Sequence, residues 1–175
     1  ALLLAGGAAA QEQEQEGQRP RAGVEQTEPE LEWPGRVSEL PVVDLSGTWV
    51  FDPEISDPMV DAWRGRRVEY RVEQQSDFIR LEFRPEDGQG NNQTYRWNGR
   101  VIAFERGSTE VRELAAWVDG GRVLEVVGRW WSPEDITDIH SYTFRYSLQG
   151  FDVLVLEQVD PHGSTTWRFQ RAEGD

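Results

Sequence analysis

Cysteine and lysine do not occur among the 175 residues, methionine occurs once and histidine twice. Without cysteine there is no thiol nucleophile, thiolate metal site, disulfide or lipid-modified N-terminal cysteine. Whatever folds here holds by packing alone. All 18 basic residues are arginine, which excludes Schiff-base chemistry and a lysine general base. No G-x-S-x-G run is present, and two histidines leave little room for a serine triad. Long apolar runs are also missing. The first ten residues are too few to span a bilayer, for which a helix needs about 20. Positive charge is scarce: 32 Asp and Glu give a formal net charge of −14. That balance argues against nucleic acid, whose binders need a basic face to displace counterions, and against an anionic membrane surface.

What is present divides into three stretches. Residues 1–10, "ALLLAGGAAA", read as the remnant of a secretory signal peptide: Leu2, Leu3 and Leu4 end an apolar region, and Ala8, Ala9 and Ala10 fit the small-x-small cleavage rule before Gln11. A secreted or periplasmic protein is expected. Residues 11–45 carry nine acidic groups against three Arg, with Gln, Glu and Pro dominating. Such a composition buries too little apolar area to offset chain entropy, so an acidic disordered tether is expected. Its sticky points are Trp33 and the run 40–43, placed to dock on the domain or on an envelope partner. Residues 46–172 hold most of the aromatics of a chain with eight Trp, seven Phe and four Tyr, enough for one real core.

From Ser46 onward the dominant period is two, and short β-branched and aromatic runs alternate with turn chemistry. Strands are predicted at 47–52, 67–75, 78–84, 93–98, 100–106, 110–118, 122–131, 138–148, 152–159 and 164–171. Asn98-Gly99 predicts a type I′ hairpin, in which both central residues need positive φ. With nearly every connection short, consecutive strands are expected to pair as an antiparallel meander. The longer link at 53–66 has room for a short helix or lid, with Met59, Val60 and Trp63 as its apolar face. Ten strands in a meander leave two open edges unless the sheet curls shut. The expected fold is therefore all-β: an up-and-down antiparallel barrel of about ten strands with a short helical or loop lid after the first strand. Alternation puts Tyr70, Val72, Ile79, Leu81, Phe83, Tyr95, Trp97, His140, Tyr142, Phe144, Tyr146, Leu148, Trp167 and Phe169 inside. It does not settle the faces of 110–118 and 122–131.

Gly47-Thr48-Trp49, a G-x-W on the first strand of such a meander, resembles the opening signature of the lipocalin and calycin barrels. The longer run "SGTWVFDPEISD" is similar to the start of small secreted bacterial lipocalin-like proteins. The likeness extends loosely over residues 46–171 and is specific only in its first dozen. It implies that Trp49 closes the barrel floor and packs on an arginine at the end of the last strand, for which Arg168 and Arg171 are the matching candidates. The long helix near the end of a typical lipocalin is missing, so the outline resembles the fatty-acid-binding barrels more. Their Arg-x-Tyr carboxylate anchor has no counterpart in Arg168-Phe169-Gln170.

The aromatics carry the functional expectation. Rings lining a wide enough barrel make an apolar cavity, and a few polar groups at its mouth fix orientation. The candidates are Tyr70, Phe83, Trp97, Phe104, Tyr142, Phe144 and Tyr146, with Arg145 or His140 as polar handles. The same rings serve equally well as a filled core. A secreted or periplasmic carrier of a small apolar or amphipathic ligand, performing no chemistry and using no cofactor or metal, is the primary reading. "DGQGNN" fails as a calcium loop, since Gln89 and Asn98 stand where a third-position ligand and a bidentate Glu belong. Two alternatives remain: an envelope module binding carbohydrate or protein through exposed Trp117, Trp130 and Trp131, and a barrel isomerase or cyclase using His140 or Tyr142.

Overall fold

A computed structural model describes Trp33, residues 38–57, Trp63, residues 65–88 and residues 90–172. Ten strands follow in chain order: β1 (Gly47–Phe51), β2 (Val68–Gln74), β3 (Phe78–Pro85), β4 (Asn91–Arg96), β5 (Ile102–Arg106), β6 (Thr109–Val118), β7 (Val123–Ser132), β8 (Asp135–Gln149), β9 (Val153–Asp160) and β10 (Gly163–Arg171). All pair antiparallel in one sheet of order β4-β3-β2-β1-β10-β9-β8-β7-β6-β5. Pairing of the first strand with the last (Trp49 opposite Arg171) curls the sheet into a barrel. The end with loops 75–77, 97–101, 119–122 and 150–152 is its floor. The lid link and the remaining turns lie at its mouth.

The barrel is nearly closed, and its opening falls where the sequence promised a hairpin. β4 and β5 are neighbours in the chain yet form the two edges of the sheet. The Asn98 carboxamide oxygen accepts from the Arg100 amide (3.1 Å), an Asx turn that satisfies the link locally without a ladder. Gly99 has φ 73, but Asn98 is not left-handed. The type I′ geometry instead occurs at Asp119 and Gly120 (φ 55 and 73), where the Gly121 amide closes onto the Val118 carbonyl at 3.1 Å.

Side chains and a piece of the preceding chain close the gap. The Tyr95 hydroxyl of β4 donates to Glu113 of β6 (2.8 Å), and Trp97 meets Trp117 edge-on at 5.9 Å. β5 pairs only with Thr109 to Glu113, leaving the floor half of β6 without that neighbour. Residues 38–42, counted above with the tether, take its place. The Glu39 amide donates to the Trp117 carbonyl (3.0 Å), the Trp117 amide to Ser38 Oγ (3.0 Å), and the Val42 amide to the Gly121 carbonyl (2.9 Å). Gly121 is required there, because a Cβ would lie 1.9 Å from the Leu40 carbonyl oxygen. Leu40 and Val42 stay exposed, while Leu45 is fully buried. Trp33 docks on the outer wall, beneath the Arg129 guanidinium.

The floor is solid. Trp49, Trp117, Leu45, Ile79, Leu124, Leu154 and Phe169 have no more than a trace of exposed surface. The Trp49 indole N–H donates to the Leu45 carbonyl at 3.0 Å, so a polar tip is buried without loss. Of the two arginines, Arg171 is the partner: its guanidinium sits 4.2 Å above the indole and donates to the Ser46 carbonyl (3.1 Å). Gly47 (φ 137) makes that possible, since a Cβ there would fall 2.5 Å from Arg171 Nη1. Arg168 serves the lid link instead, donating to the Ile55 carbonyl (2.8 Å) while its amide donates to Ser56 Oγ. Trp63 folds in behind that link and packs on Phe51, Phe83 and Trp167 at 5.3–5.6 Å. Met59 and Val60 lie outside the described residues.

Candidate ligand-binding interior

β6 places Val111, Glu113, Ala115 and Trp117 on the inner wall, one glutamate in an otherwise apolar row. Glu113 is 3% exposed and is the buried charged side chain among the described residues. Its two carboxylate oxygens accept from Tyr95 (2.8 Å) on β4 and from Tyr142 (2.5 Å) on β8. Tyr142 reaches it by lying across β7 at Gly128, which pairs with both Glu113 and Tyr142. A Cβ on Gly128 would fall 2.0 Å from the Tyr142 ring. Strand glycine is here a gap through which a phenol crosses to its acceptor.

The four tyrosines of the chain all belong to this interior. Burial first, then the Glu113 charge, pushes the Tyr95 and Tyr142 hydroxyls well above their ordinary range. Burial pushes Tyr70 up to about 12, against a small opposing effect of Tyr146 and of Arg106. Tyr146 is raised by burial and then by Tyr70. All four phenols therefore stay protonated at neutral pH and act as hydrogen-bond donors.

Tyr70, Phe83, Tyr142, Phe144 and Tyr146 form a continuous inner ring cluster, with centroids 5.2–6.5 Å apart along its contacts. Phe104 and Ile102 face them from β5, opposite Val111 and Glu113. Several of these inward side chains keep accessible surface: Tyr70, Ile102, Phe104, Tyr142, Phe144 and Trp167 are only partly buried. They are inward residues that the packing does not fully cover, unlike Trp49, Trp117 and Phe169.

Three expected site residues lie elsewhere. Trp97 stands past the end of β4, where it packs on Trp117. His140 is exposed at the rim, stacked on Trp130 (4.0 Å, 14°) and 3.2 Å from Asp138. Arg145 is on the outer wall, bonded to Asp119 (2.6 Å) and near Glu125 (3.5 Å), and cannot be an interior handle. Of the three tryptophans expected on the surface, Trp130 is partly buried and the other two are buried. Trp117 is 0% and Trp131 3% exposed, the latter because its outward ring is covered by Arg112. Sequence reading missed Glu113 altogether and kept Tyr95 as mere lining. The signal for Glu113 was its even spacing with Val111, Ala115 and Trp117.

In solved structures the same architecture recurs. A mutant of the fluorescent protein UnaG aligns over 73% of this chain and 96% of its own at TM-score 0.54 and 13% identity. Human cRBP IV aligns over 74% and 99% (TM-score 0.52, 17% identity), and the REP1-NXSQ fatty acid transporter over 75% and 98% (TM-score 0.53, 8% identity). The fold is the lipocalin-like calycin barrel. These identities carry the fold and nothing further. In sequence, no family model and no curated protein matches the chain. The Glu113 cluster occupies the interior above the Trp49–Arg171 floor.

Among the described residues no helix is long and apolar enough to cross a membrane, and no group of three His, Asp or Glu is arranged to hold a metal ion.

Proposed function

We propose that the chain is an exported carrier that holds a small apolar or amphipathic molecule inside the barrel without changing it. One observation carries this reading: the floor is packed solid, while inward aromatic rings such as Phe104, Tyr142 and Phe144 stay only partly buried. A filled core would bury them as it buries Trp49 and Phe169. Apolar walls with a few fixed donors and an acceptor are what a small-molecule site needs. The structural neighbours support it, since one of them is a fatty acid transporter. Export is supported by the signal-like start of the sequence.

Titration of the purified protein with an apolar fluorescent probe tests the reading. Saturable binding that alters intrinsic tryptophan emission, and that weakens when Phe144→Trp narrows the space, is the expected result. A protein that binds no probe and from which no small molecule copurifies by mass spectrometry would remove the carrier function.

A further inference from the structure

The inner wall holds a buried carboxyl group with no salt bridge. A carboxylate has about four lone-pair positions, and the described contacts of Glu113 are two neutral phenols. Among the described residues no arginine forms an ion pair with it, and the sequence contains no lysine to do so. A buried anion is expensive unless an opposite charge or a full set of donors meets it. Two donors leave half of its accepting capacity free. Tyr142 and Phe144 are only partly buried, and aromatic faces attract ammonium groups, whereas the Phe104 face already carries the Arg106 guanidinium at 5.8 Å.

We propose that Glu113 is the head-group subsite of the barrel, and that its ligand is an amphipathic molecule ending in a protonated amine. The assignment rests on the carrier reading and selects within it. An ammonium group brings three N–H donors and one positive charge. It fills the free positions on Glu113 while the phenols of Tyr95 and Tyr142 keep theirs, and the ring faces sit alongside. A carboxylate head would bring a second anion and no donor. The opposing group is Arg106, exposed at the rim, whose charge reaches Tyr70 and Tyr142. It offers an acid a place at the entrance, away from the Glu113 carboxylate.

Dodecylamine, dodecanol and dodecanoate, below their aggregation concentrations, decide the matter by displacing a bound apolar probe. The measurement belongs at about 1 M salt, where the screening length of about 3 Å removes attraction to the acidic surface. The amine should displace the probe at a concentration roughly tenfold or more below that of the acid. Glu113→Gln, shown by circular dichroism to be folded, should bring the two together. Equal displacement by all three, a preference for the acid that Arg106→Ala abolishes, or an amine preference that survives in folded Glu113→Gln overturns the assignment and leaves the carrier standing. If neither the probe nor any of the three binds, the carrier falls as well. Should Glu113→Gln not fold, the ranking on the unaltered protein decides alone.

Discussion

Trp49 and Arg171 show how few residues close the floor. An indole buries about 150–250 Å², or some 4–6 kcal/mol at about 25 cal/mol per Å² as an upper bound. With no disulfide to help, that is a large share of net stability. Trp49→Ala should cost about 3–5 kcal/mol in urea unfolding. Arg171→Ala removes a stacked cation and a donor to Ser46 and should cost about 1–2 kcal/mol. Arg168→Ala should leave tryptophan emission at the floor unchanged, because Arg168 contacts the lid link at Ile55. If Arg168→Ala perturbed that emission more than Arg171→Ala, the assignment of the partner would be reversed. The sequence narrowed this pair to two arginines, and strand parity separates them: Arg171 pairs opposite Trp49, whereas Arg168 points to the other wall.

At the level of strands, the Tyr95–Glu113–Tyr142 cluster joins β4, β6 and β8 across an edge that no ladder closes. Tyr95→Phe and Tyr142→Phe should each cost about 1–3 kcal/mol by leaving a buried carboxylate short of a donor. Because both bond to one carboxylate, the double variant should depart from additivity. Additive costs would mean that the two phenols act independently and the cluster is no unit. Amides of β4 and β5 should exchange hydrogen first and accelerate further in Tyr95→Phe. All ten strands were legible from period two alone, because short turns punctuate each run. The opening was not, because Asn98-Gly99 reports local turn preference and nothing about which strands meet. The faces of β6 and β7 were illegible for a different reason. Leu114, Ala116 and Trp131 are buried on the outer wall as Val111, Ala115 and Trp117 are on the inner one, so alternation between apolar and polar disappears. Glu113 was hidden in that ambiguity, and with it the polar centre of the interior.

The whole molecule carries all four of its tyrosines inside the barrel, which ties its stability to alkaline pH. In the unfolded chain a phenol ionises near its ordinary value of about 10. In the barrel burial raises all four, Tyr70 to about 12. Below about pH 10 both states keep their phenolic protons, and these groups make stability independent of pH. Above it the unfolded chain releases protons that the folded chain retains. The unfolded state then binds fewer protons, so stability falls as pH rises from about 10 through the folded-state values. Phenolate absorbance should therefore stay flat near pH 10 and rise only as a cooperative step, at the same pH at which near-ultraviolet circular dichroism collapses. Tyr142→Phe removes one of the linked groups and should make the pH dependence of unfolding free energy in that window shallower. A gradual rise beginning near pH 10 with the fold intact would mean that burial does not hold the phenols protonated, and the part they play in the Glu113 cluster would have to be redrawn.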